Sequence, residues 1–113
     1  MDTNTIQYNV ETPLEDVKAG AAANRPAAIF ELASRYHHGD GGVERDTRKA
    51  FQLFERAAKM KFARAWNSLA LCYENGLGTM PDPVAAARYD HLFTCYRRLH
   101  DALAPVYGMR REA

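Results

Sequence analysis

Residues 28–42 read Ala-Ile-Phe-Glu-Leu-Ala-Ser-Arg-Tyr-His-His-Gly-Asp-Gly-Gly, and residues 65–79 read Ala-Trp-Asn-Ser-Leu-Ala-Leu-Cys-Tyr-Glu-Asn-Gly-Leu-Gly-Thr. Shifted by 37, Ala28, Leu32, Ala33, Tyr36, Gly39 and Gly41 fall on Ala65, Leu69, Ala70, Tyr73, Gly76 and Gly78. Six identities in fifteen positions, all at apolar or glycine sites, mark an internal repeat.

Each copy has helical spacing. Ile29, Leu32, Ala33 and Tyr36 stand at i, i+3, i+4 and i+7, as do Trp66, Leu69, Ala70 and Tyr73. The glycines that follow stop the helix, because glycine accepts the left-handed backbone that helix C-termini need. A second helix follows each loop. Asp46 is the expected N-cap for 47–60, whose Ala50, Phe54 and Ala57 share a face. Asp82-Pro83 pairs a capping residue with proline at the first helical position.

The turn back to a first helix also recurs: Asn24 lies 37 residues before Lys61, and both are expected to end a helix in left-handed geometry. Upstream, Thr12-Pro13-Leu14-Glu15 reads as a capping-box start for a helix over about 13–23. The chain is thus half a repeat, one full repeat and a second with a longer final helix. That helix, about 83–103, carries Ala85, Leu92, Tyr96, Leu99 and Leu103 at three- and four-residue steps, with Pro105 and Gly108 as its stop. In residues 1–12, Ile6, Tyr8 and Val10 alternate with polar neighbours, the pattern of an extended arm. The expected organisation is an extended or flexible arm over 1–12, a repeat domain over 13–104 and a tail over 105–113. The fold class is all-α, a short right-handed α-solenoid of about two helical hairpins with flanking helices.

Composition agrees. The 113 residues fit one domain, 47% hydrophobic and 26% charged, rich in alanine and poor in valine and isoleucine, which suits closely packed helices. A net charge of +1 gives no basic field for nucleic acid; Arg97-Arg98 and Arg110-Arg111 read as solvated surface and tail. No apolar run is long enough to span a bilayer, and Met1-Asp2-Thr3-Asn4-Thr5 lacks the start of a signal peptide. Neither nucleic acid nor membrane is therefore an expected partner, and the cytoplasm is the expected compartment. Cys72 and Cys95 form no secreted-type framework and are expected to be packed thiols.

The pattern Ala-x-x-x-Leu-Ala-x-x-Tyr-x-x-Gly-x-Gly, followed by Val43-x-x-Asp46-x-x-Lys49-Ala50-x-x-x-Phe54-x-x-Ala57-Ala58, resembles the Sel1-like repeat, an α-solenoid relative of the tetratricopeptide repeat. Resemblance covers about 14–95. The second copy departs where Met80-Pro81-Asp82 replaces the Gly-Val-x-x-Asp stretch, with one residue missing. Such a resemblance implies an adaptor, regulator or scaffold, and many members are bacterial. Some members staple each helix pair with a disulfide. Cys95 falls near one such position, but Cys72 is about two turns out of register, so no staple is expected.

In a solenoid the first helix of each pair lines the concave side. Beside the core face, the first helix presents Ala27, Phe30, Ser34, His37 and His38, and its counterpart presents Arg64, Asn67, Leu71, Glu74 and Asn75. These equivalent positions differ while core positions agree, as expected for a groove that binds a protein or peptide. Phe30 and Leu71 read as apolar anchors, Arg64 and Glu74 as polar ones. The plainer reading packs Phe30 under the N-terminal arm and leaves the stripe solvated. A homodimer through the open solenoid ends is a further expectation.

No cofactor or metal is expected. His37 and His38 point about 100° apart on a helix and are ill placed to share an ion. His91 and Cys95 make only half a zinc site, and Cys72 has no catalytic partner at any recognisable spacing. The chain reads as a non-enzymatic interaction module, with a self-assembling structural unit or a hydrolase as alternatives.

Overall fold

The computed structural model describes residues 8–112, with side chains as far as Leu103. Five α-helices follow one another: α1 Leu14–Ala22, α2 Pro26–His38, α3 Thr47–Lys59, α4 Ala63–Asn75 and α5 Pro83–Glu112. No strand occurs among the described residues. Helix α2 pairs with α3 and α4 with α5, while α1 stands to α2 as α3 stands to α4. This is the short α-solenoid that the repeat implies.

The stop and start signals act through named atoms. Gly39 and Gly76 close α2 and α4 in left-handed geometry, φ 74° and 68°. Asp46 accepts from the Lys49 N–H at 3.0 Å, and Asp82 accepts from the Val84 and Ala85 N–H groups at 3.1 Å. Each capping aspartate also donates its own N–H to the repeat tyrosine's carbonyl: Asp46 to Tyr36 and Asp82 to Tyr73, both at 2.8 Å. The two tyrosines therefore hold equivalent places, each tying its helix to the start of the next. Gly78 brings the second loop against the first repeat, where a Cβ would collide with the Thr47 carbonyl oxygen.

The core runs through both repeats as Val17, Ala21, Ile29, Leu32, Ala33, Ala50, Phe54, Ala57, Ala58, Ala65, Leu69 and Cys72. Half of these twelve are alanines. Small side chains let helices approach closely around the larger Ile29, Phe54 and Leu69.

Two expectations need correction. First, Thr12 does not cap α1. Its hydroxyl accepts from the Asn9 N–H, closing a turn at residues 9–12, and Pro13 stands at the cap position without a side-chain bond. The described end of the arm therefore turns at Val10 to Thr12. It is held by Arg35, which donates to the carbonyls of Asn9 and Thr12, and by Arg25, which donates to the Tyr8 hydroxyl at 3.2 Å. Ile6 and the rest of 1–7 lie outside the described residues.

Second, α5 does not stop at Pro105; it continues through Gly108 to Glu112, where a tail was expected. Proline removes one helical hydrogen bond and costs roughly 3 kcal/mol in a helix interior, and α5 carries it without ending. The stripe Leu92, Tyr96, Leu99 and Leu103 is left open to solvent, these residues being 38, 43, 63 and 40% exposed. The helix instead turns Ala85, Ala86, Tyr89 and Phe93 inward. Tyr89 stacks on Tyr73 with ring centroids 5.9 Å apart, and Trp66 already meets Tyr96 near the beginning of α4. Leu99 and Leu103 therefore lie past the end of the helix that would cover them.

Candidate partner-binding groove

Helices α2 and α4, the first helices of consecutive repeats, face one another across a cavity of about 340 Å³. Phe30, Ser34, His37 and His38 form one wall, and Arg64, Ser68, Leu71 and Cys72 the other, over a floor from Phe54 of α3. Six of the ten expected residues meet here: Phe30, Ser34, His37, His38, Arg64 and Leu71.

Four do not. Asn67 and Glu74, together with Leu71, line a second groove of about 330 Å³ against Pro83, Ala86, Ala87 and Asp90 of α5. Asn75 folds back to donate its amide to the Leu71 carbonyl at 3.0 Å. Ala27 is half-buried and lines neither groove.

The reason is geometric. A shift of 37 selects the same flank on both helices, but a groove between neighbours is walled by opposite flanks. The α4 wall of the first groove therefore keeps Arg64 and Leu71 of the expected stripe and takes in Ser68 and Cys72 from the adjoining row. The flank equivalent to Phe30, Ser34 and His37 is Asn67, Leu71 and Glu74, which faces the second groove. Ser68, four residues from both Arg64 and Cys72, was legible from helical spacing once that rotation is allowed.

Phe30 is partly buried at the base of its wall. Its ring lies 5.5 Å from Phe54 and 5.3 Å from Phe62, and the Arg64 guanidinium sits 5.2 Å above it. Leu71, 48% exposed, is the apolar side chain that a partner can cover. Burial holds the His37 imidazole below the usual histidine range, with help from the charges of His38 and Arg45. Its Nδ1 is buried without a hydrogen-bond partner. His37 and His38 meet edge to face at 4.9 Å, and among the described residues no group of three or more His, Cys, Asp or Glu is placed to hold a metal. Cys72 and Cys95 are both free thiols; Cys72 is buried as expected, whereas Cys95 is exposed and 3.5 Å from His91 Nε2. Among the described residues no helix is long and apolar enough to cross a membrane.

Sequence reading missed Arg35, although it falls 37 residues before Cys72, a buried position. It is 3% exposed, pairs with Glu31 at 3.0 Å, and donates to Gly41 as well as to the turn at 9–12. Its neighbour is the preceding half-repeat, whose carbonyl groups need donors that a thiol cannot supply.

Stacked helical hairpins with a divergent groove over a shared interior define an α-solenoid repeat protein. Family comparison is consistent with that geometry: the Sel1 repeat matches residues 26–62 and 63–89, breaking where α4 begins. The chain belongs to the Sel1-repeat family. It is 38% identical over 78 residues to chitin synthase regulatory factor 2 of Schizosaccharomyces pombe, a match covering 66% of this chain and 14% of that protein. The crystal structure of a Sel1 repeat protein from Oxalobacter formigenes superposes with a TM-score of 0.63 at 26% identity, over 76% of this chain and 40% of that one. The chain thus spans a minor part of either relative's length. Sel1 repeats are in general protein–protein interaction modules.

Proposed function

We propose that this chain is a non-enzymatic adaptor or regulator that holds a segment of a partner protein in the groove between α2 and α4. The observation that carries this is the contrast between core and groove. Interior positions repeat as Leu32/Leu69 and Ala33/Ala70, whereas groove positions diverge as Phe30/Asn67, Ser34/Leu71 and His37/Glu74. Packing constrains the first set, and divergence of the second is what a groove fitted to a particular ligand would show. A regulatory role has support in the name of the yeast relative, a regulatory factor. The groove's length, about that of one helix, suits a segment of roughly five to eight residues.

Affinity capture from the native cell tests it. Leu71→Asp and Arg64→Glu are the controls of choice, because both side chains are exposed and their loss leaves the interior intact. A partner held by the parent chain and lost by both variants, at unchanged helicity, supports the groove. Retention of every partner by both variants removes it.

A second reading rests on α5. Leu92, Tyr96, Leu99 and Leu103 lie at alternating steps of four and three, the spacing of a helix–helix seam, and are open to solvent. Antiparallel pairing of two such helices would set Leu92 against Leu103 and Tyr96 against Leu99. Light scattering with Leu99→Glu plus Leu103→Glu tests this homodimer: a dimer converted to monomer supports it, and a monomeric parent chain dismisses it.

A further inference from the structure

Resting on the groove assigned above, we infer that its occupant is a protein segment carrying a carboxylate next to an apolar side chain. The charge on the two grooves is unequal. No aspartate or glutamate lines the first, whose charged group is Arg64. Glu74 and Asp90 line the second, and among the described residues no salt bridge joins them to Arg64.

The asymmetry follows from the repeat. The capping aspartates Asp46 and Asp82 stand 36 residues apart, which puts Asp90 of α5 on the position of Phe54 in α3. The aromatic floor of the first groove is thus replaced by a carboxylate in the second.

Arg64 is exposed, lies over the Phe30 ring, and has no carboxylate partner among the described residues. A guanidinium laid on an aromatic face keeps its outward N–H donors in place, which lowers the ordering cost of a forked bond to a carboxylate. Ser34 and Ser68 add neutral hydroxyl groups on opposite walls, and Leu71 offers the apolar patch beside them. A basic segment would instead meet Arg64 with like charge at that site. The carboxylate can come from an Asp or Glu side chain or from a chain terminus.

The test is selection of random eight-residue peptides on the full chain, displayed in two formats, one internal and one with a free C-terminus. Enrichment of Asp or Glu beside Leu, Met or Phe in the internal format assigns a side-chain carboxylate; enrichment only in the second assigns a terminal one. Against a selected peptide, Arg64→Gln should weaken binding roughly ten- to hundredfold, the range for a hydrogen bond to a charged group. The same substitution should cost little against the peptide's Asn, Gln or amidated counterpart. Arg64→Glu should shift selection toward Lys and Arg. Peptides that lose binding with Leu71→Asp yet show no acidic preference overturn this inference and leave the groove standing. Failure to select any peptide sensitive to Leu71→Asp overturns both.

Discussion

Asn24 and Lys61, 37 residues apart, share one left-handed backbone conformation, with φ of 59° and 63°, in the tight turn that leads from the second helix of one repeat into the first helix of the next. Asparagine tolerates this region, and Asn24 gains a side-chain bond there from Arg56. Lysine holds it against its own preference.

Lys61→Gly should therefore stabilise the fold by about 1 kcal/mol, less the entropy glycine adds to the unfolded chain. Asn24→Gly should be neutral or destabilising, because the Arg56 bond is lost. Denaturant midpoints of both variants decide the matter; a destabilised Lys61→Gly would contradict the strain argument.

Arg35→Met keeps the aliphatic stem in place and removes the guanidinium bonds to the Asn9 and Thr12 carbonyls, along with those to Glu31 and Gly41. A loss on the order of 3 kcal/mol is expected, as for a broken buried charge network. Cleavage within residues 8–13 under limited proteolysis should accelerate at the same time. Equal protection of that segment in the variant would show that something else holds it.

The two thiols should separate cleanly by reactivity. Burial pushes Cys72 up to about 11, and it is 2% exposed, whereas Cys95 is open to solvent. The native chain at pH 8 should titrate one equivalent of a bulky disulfide reagent quickly and the second only in denaturant. Cys95→Ser should abolish the fast phase. Two fast equivalents would mean that the groove wall opens readily.

The His37 imidazole titrates lower in the folded chain than its ordinary value of 6.5, through burial first and then the charges of His38 and Arg45. Between the two values the unfolded chain binds more protons. Stability from this group is thus fully present above about 6.5 and is lost as pH falls through the window beneath it. His37→Gln should flatten the fall in thermal midpoint between pH 7.5 and 5. An unchanged slope would show that other groups govern acid sensitivity.

Leu69→Ala should cost roughly 2–5 kcal/mol, because Leu69 is fully buried among alanines that are too small to close the gap. Urea denaturation measures it, and a loss below 1 kcal/mol would mean that the second repeat adds little to the cooperative core.

What the sequence by itself determined is the repeat and everything local to it. Gly39, Gly76, Asp46, Asp82, Asn24 and Lys61 act through their own backbone or the next turn, so spacing alone places them. Much of the interior followed, since equivalent positions such as Leu32 and Leu69 solve one packing problem twice, although Arg35 in place of Cys72 did not. Tertiary structure decided which flank of α4 faces α2, because a groove depends on how neighbouring helices are rotated and not on their common register. It also decided that Thr12 closes a turn instead of capping α1, since Arg35 pulls the carbonyl groups of that turn from across the fold. And it left Leu99 and Leu103 open, because a helix longer than its partner buries its apolar stripe only as far as the partner runs.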